Sequence, residues 1–225
     1  MTSKAWMGSL AVAGMLASGV AQATLVDRGG GLIYDTTLNI TWLQNADLGA
    51  TERFGVTLSF PNSGLMEWPT ANAWIQAMNT TDYLGYSNWR LPTALNQDGS
   101  GPCDGFNCTN SELGHLFYID GALPNYWEFS MSATLTSLFT NMHDGAWYWS
   151  GTAYDDPQIA PTAWGFQSDG YQHPLVQGNF LYVWAVRDGD VSGGATVPEP
   201  ATLALVLAGF GLAGLARRGR SSGVS

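Results

Sequence analysis

GYSNWRLPT, residues 85–93, is the stretch on which the reading of this chain turns. It places Arg90 between the apolar Trp89 and Leu91, and it lies between two candidate helices. Upstream, Trp68-Pro69-Thr70 introduces Ala71, Trp74, Ile75 and Met78. Their i, i+3, i+4, i+7 spacing predicts one helical face, ending by residues 79–81. Downstream, Thr109-Asn110-Ser111-Glu112 has the form of a capping box, predicting a second helix that ends at Asp120-Gly121. Leu113, Leu116 and Phe117 would share one side of it. Outside the helices, residues 25–34 and 39–43 read as short strands around the turn-like Asp35-Thr36-Thr37. Residues 146–153, 162–167 and 179–187 read as further strands. In the last of these Phe180, Tyr182, Trp184 and Val186 alternate with Leu181, Val183 and Ala185, so both faces are apolar, as in a strand covered on both sides. The expected class is α+β, with two helices, short antiparallel strands and long loops.

The two ends of the chain are of another kind. Residues 1–23 carry one positive charge, Lys4, then an apolar run, then Ala21-Gln22-Ala23. That is the layout of a secretory signal peptide with an A-x-A cleavage site, so the mature chain is expected to begin at Thr24, outside the cytoplasm. Residues 189–197 have linker composition, rich in Gly, Ser and Thr. Pro198-Glu199-Pro200 follows, then an uncharged run, then Arg217, Arg218 and Arg220, with 221–225 as a short tail. A hydrophobic helix over 201–216 would span about 24 Å against a hydrocarbon core of about 30 Å. Its leucines cover every face, which marks a membrane segment, and the arginines place its far end in the cytoplasm.

Charge narrows the partners of the exported part, in which residues 24–188 are the expected domain. Between the two end segments the cations are Arg28, Arg53, Arg90 and Arg187, against eighteen acidic residues from Asp27 to Glu199, a balance of −14. Such a surface repels nucleic acid, anionic lipid and sulfated glycans. The two cysteines, Cys103 and Cys108, lie in the turn-rich PCDGFNC. In an oxidising compartment that pair reads as a disulfide stapling an excursion, contributing roughly 2 kcal/mol. With only His115 nearby and no second cysteine pair, a zinc site there is not expected.

Five segments carry a family resemblance: LIYDTTLNITWLQNAD (32–47), GYSNWRLPT (85–93), YWSGTAY (148–154), AWGFQSDGYQ (163–172) and YVWAVRDG (182–189). In this order they resemble the Lcl C-terminal domain family, whose fold is similar to C-type lectin-like and sulfatase-modifying-factor domains. The resemblance spans residues 25–188. The tail resembles a PEP-CTERM protein-sorting signal, which implies a temporary inner-membrane anchor cut near Pro198-Glu199-Pro200 by an exosortase.

The chemistry expected of the middle region is binding. Trp89, Arg90, Leu91, Pro92 and Arg187 read as structural members of the family motifs, with each guanidinium satisfying carbonyls or a nearby acid. Most of the tryptophans read as core, whereas Trp127, Tyr154 and Tyr171 are candidate exposed aromatics for stacking on sugar rings. Asp155-Asp156 and the loop 98–104 offer oxygen donors for a structural calcium ion, but match no calcium loop pattern. No other cofactor is expected. His115, His143 and His173 stand without partner signatures, and no catalytic motif accompanies them. Sulfatase-modifying enzymes use an active-site cysteine, and here both cysteines belong to one loop. The expectation is a non-catalytic exported protein, taking a neutral exopolysaccharide or surface proteins as partners, with the exosortase as its processing partner. Relatives that bind sulfated glycans do so with basic surfaces, and −14 argues against that ligand.

Overall fold

The computed structural model describes residues 25–154 and 160–191. The signal-peptide residues Ala21 and Ala23, the acidic pair Asp155-Asp156 and the tail residues Pro198, Glu199, Pro200, Arg217, Arg218 and Arg220 lie outside them. So does the apolar segment 201–216; among the described residues no helix is long and apolar enough to cross a membrane.

The described residues form a mixed fold of mostly antiparallel sheets with few helices. Residues 25–34, expected as one strand, fold as a hairpin of β1 (Leu25–Gly29) and β2 (Leu32–Asp35). Gly29, Gly30 and Gly31 all take positive φ, a conformation open to glycine at little cost, and they reverse the chain. β3 (Ile40–Leu43) pairs with β2 after a turn in which the Thr37 and Leu38 N–H groups donate to Asp35 Oδ1 at 2.9 and 3.0 Å. The last strand, β8 (Val186–Asp188), inserts between β3 and β4 (Trp89–Arg90), giving the antiparallel order β1-β2-β3-β8-β4. A second sheet consists of β5 (Trp147–Tyr154), β6 (Thr162–Gln167) and β7 (Gln172–Val176). β7 was not expected, and its Pro174 explains why. A proline is tolerated on an edge strand but erases the usual strand signature.

The first helix, α1 (Trp68–Thr80), buries Ala71, Trp74, Ile75 and Met78 as their spacing requires. The second, α2 (Glu112–His115), departs from expectation at its start. Its cap is Ser111, whose Oγ accepts the Gly114 N–H, which makes Glu112 the first helical residue; no capping box forms, and the Glu112 carboxylate is turned toward Arg90. α2 then widens into a π turn, Leu116–Asp120, closed by Gly121 N–H donating to the Leu116 carbonyl at 2.9 Å. A third helix, α3 (Ala133–Leu138), corrects the expectation of two. It is only six residues long, too short for an apolar period to show. Residues 179–187 were expected as one strand, yet the regular ladder begins at Val186. Leu181 instead bridges to Met66, and Tyr182 to Tyr148 on β5. The run crosses from one sheet to the other, so its two apolar faces reflect burial without a continuous strand.

That crossing segment holds the centre of the core. Trp184 is fully buried, with ring centroids 5.3 Å from Trp42, 5.0 Å from Phe139 and 5.8 Å from Tyr148. Buried indoles need acceptors, and Trp184, Trp149 and Trp74 donate to the carbonyls of Leu43, Met66 and Glu52 at 2.7, 2.8 and 2.7 Å. Each such ring contributes roughly 3 kcal/mol of burial.

Candidate functional site

GYSNWRLPT becomes the seam between the two sheets. Asn79, near the end of α1, receives the Trp89 N–H at 2.7 Å and donates to the Trp89 carbonyl at 2.9 Å, standing in for a further strand beside β4. Pro92, with no N–H of its own, offers its carbonyl to the Gly151 N–H of β5 at 2.8 Å. Trp89 and Leu91 are buried. Arg90 forms a two-pronged pair with Glu112, Nη1 to Oε2 at 2.8 Å and Nη2 to Oε1 at 2.7 Å, and its Nη2 also reaches Asp188 Oδ1 at 2.6 Å. Burial works against its charge, but Glu112 and Asp188 outweigh burial and hold Arg90 more basic than an ordinary arginine. Two clefts of about 560 and 530 Å³ flank Arg90, lined by neutral polar groups that include Thr37, Asn39, Asn96 and Asn110 in one and Asn72, Gln76 and Asn79 in the other.

The other arginines are engaged as well. Arg187 donates to Asn88 Oδ1 at 3.0 Å and lies 4.1 Å over the Tyr86 ring. Arg28 pairs with Asp190, and Arg53 donates to Asn62 Oδ1 at 3.0 Å. Among the described residues, then, each arginine is committed within the fold.

A second feature forms where the disulfide loop meets the second sheet. Cys103 and Cys108 are bonded to each other. The loop is docked and not a free excursion: Cys108 is buried, and Gly105 pairs through its backbone with Gln172 at the start of β7. Tyr118, in the π turn, ties three segments together. Its hydroxyl accepts the Asn107 N–H at 2.9 Å and lies 2.7 Å from the Gly170 carbonyl and 3.0 Å from Asn125 Oδ1. Convergence of these segments packs Phe106 between Tyr126 and Tyr171 in tilted and edge-on contacts, at centroid distances of 4.4 and 4.8 Å. Tyr126 is 71% exposed and Trp127 49%. Tyr126 also takes φ +67, a costly conformation for an aromatic residue, held by its N–H donating to the Asp169 carbonyl at 2.9 Å.

Of the aromatics singled out in the sequence, Tyr171 is half-buried against Phe106, and Trp127 follows Tyr126 in the segment that the Tyr126 N–H ties to the Asp169 carbonyl. Tyr154 is separate, exposed at the far end of β5 and packed against Trp164, roughly 20 Å along the strand from Trp147, which touches Tyr171. Sequence reading missed Phe106 and Tyr126, whose only signal was nearness to the cysteine loop and to Trp127.

Each histidine, unpartnered in the sequence, faces an aspartate in the fold. His173 Nδ1 lies 2.9 Å from Asp104 Oδ1, and His143 Nε2 lies 2.8 Å from Asp47 Oδ2. Burial raises the Asp47 carboxyl above the ordinary carboxylate value, with His143 partly opposing it. In loop 98–104, Asp98 Oδ1 accepts the Ser100 N–H and hydroxyl at 2.9 and 2.6 Å, and Asp104 Oδ1 faces His173. His115 faces Asp120 and Asp35, all three buried. Burial lowers the His115 pKa, and burial together with the facing Asp35 pushes Asp120 up to about 8.

Residues 196–221 match the PEP-CTERM protein-sorting motif. The motif implies export by way of a transient membrane anchor and processing by an exosortase. No curated protein and no solved structure matches the chain. The resemblance of residues 25–188 to the Lcl C-terminal domain and C-type lectin-like families finds no support in these comparisons.

Proposed function

We propose that the exported region is a non-catalytic, lectin-like binding module for a neutral polysaccharide, working at the cell surface or in the extracellular matrix once the sorting tail is removed. The observation that carries this is the solvent-facing Tyr126 ring, held on a base of Phe106, Tyr171 and the disulfide loop, with the exposed Trp127 beside it in the chain. Large rings left in water on a braced loop are poor for solubility and well suited to stacking on sugar faces. The net charge of −14 and the commitment of the arginines favour a ligand without sulfate or carboxylate. The Cys103–Cys108 bond, which leaves no free thiol among the described residues, supports a binding role over cysteine catalysis.

The test is retention of the full-length protein, in detergent, on immobilised neutral and acidic polysaccharides, including the producing cell's own. Binding to neutral polymers is expected to weaken at least about tenfold in a Tyr126→Ala/Trp127→Ala double variant, the loss of roughly 1.4 kcal/mol, while Tyr154→Ala retains it. Silence toward every sugar, with self-association or capture of surface proteins instead, would move the assignment to an adhesive matrix role.

A further inference from the structure

We infer that Asp35, His115 and Asp120 form a binding site for a first-row divalent metal ion, with zinc as the ion their donors suit. One ligand atom from each residue lies within 4.8 Å of the other two, and His115 Nε2 stands 3.9 Å from Asp120 Oδ2. The His115 and Asp120 side chains are only 6% and 1% exposed, and Asp35 is fully buried. Four atoms there have no hydrogen-bond partner: Asp35 Oδ2, His115 Nε2 and both Asp120 oxygens. Buried polar atoms are nearly always satisfied, so four orphans converging on one point call for a missing partner. A cation bound by one atom of each residue supplies it for three of the four, and water in its open position can reach the second Asp120 oxygen.

The backbone is arranged to bring these groups together. His115 ends α2 and Asp120 ends the π turn, five residues on. At about 100° per residue an α-helix would set them about 140° apart. The wider π turn brings Asp120 back to the His115 side, and such turns occur often at functional sites. Asp35 arrives from the β2–β3 turn with its other oxygen already occupied by the Thr37 and Leu38 N–H groups, which leaves Oδ2 directed inward.

The donors select the ion. Once binding releases the Asp120 proton, two carboxylates and a neutral imidazole carry −2, which a divalent cation cancels. The imidazole nitrogen and the small number of ligands disfavour calcium, which takes six to eight oxygens. They match zinc, which binds histidine and carboxylate through three protein ligands and leaves one position open. Tetrahedral zinc would space its ligand atoms by about 3.4 Å, so the observed group need contract by only about 1 Å. The ion would clamp the β2–β3 turn to α2, the helix that also carries Glu112 to Arg90.

The full-length chain, purified in detergent, would be exposed to zinc, manganese or calcium, desalted and analysed for metal. Retention of about one zinc per chain is expected, with chelation lowering the melting temperature by about 5 °C or more. Asp35→Asn and His115→Gln should each retain less than about a tenth as much and melt without regard to zinc. His173→Gln, at the surface pair, should retain zinc as the parent does. Cobalt loaded into the parent chain should show visible absorption of a low-coordinate nitrogen and oxygen site, a readout that stands even if both cluster variants misfold. Parent protein that retains no first-row metal, or calcium alone, overturns the proposal in favour of a proton shared between Asp35 and Asp120. Undiminished zinc in the folded variants overturns it as well.

Discussion

Glu112 accepts three hydrogen bonds, two from Arg90 and one from the Thr93 N–H at 2.8 Å, so a single carboxylate joins β4, the turn after Pro92 and α2. Removing it leaves a partly buried guanidinium with Asp188 alone, and Asp188 is largely exposed. Glu112→Gln is expected to cost about 2 kcal/mol, less than a fully buried pair because Arg90 keeps some contact with water. Urea unfolding with an unchanged m-value would show it as a lower midpoint. In the sequence, Arg90 stood between two apolar side chains, which pointed to partial burial. Its partner lay 22 residues away in what read as a capping residue. The local rule failed because the helix is capped at Ser111, which makes Glu112 its first residue and leaves that carboxylate to Arg90 and the Thr93 N–H.

At the scale of elements, legibility followed length and self-sufficiency. α1 has thirteen residues and four apolar positions on one face, so its period is unmistakable. The β1–β2 reversal was written in three consecutive glycines, though without their φ values the strand read straight through. β7 is an edge strand with a proline, and α3 is short and rich in threonine and serine, so neither has a strong local signature. What starts α3 is its cap: Ser132 Oγ accepts the Leu135 N–H at 3.3 Å. Ser132→Ala should destabilise the protein by about 1 kcal/mol, the usual cost of a lost cap, read as a drop of a few degrees in melting temperature. Ser132→Asp should restore most of it, because aspartate caps as well as serine does.

For the molecule as a whole, the sorting motif at 196–221 implies export by way of a transient membrane anchor. Export suits the Cys103–Cys108 bond, because disulfides persist in oxidising compartments, and the motif implies processing by an exosortase. Mass spectrometry of released protein should therefore find a C-terminus upstream of residue 201. Recovery of released chains ending at Ser225 would contradict processing.

Taken alone, the sequence determined whatever depends on local pattern or on totals: the sorting tail, the acidic surface, α1, and most of the strands. Those properties follow from neighbours in the chain or from simple counts. Only the tertiary structure decided which groups meet. It set Glu112 against Arg90, Phe106 beneath Tyr126, and Asp35 opposite His115 and Asp120. Contacts between residues far apart in the chain depend on how sheets, turns and a widened helix close on one another, and no local spacing encodes that closure.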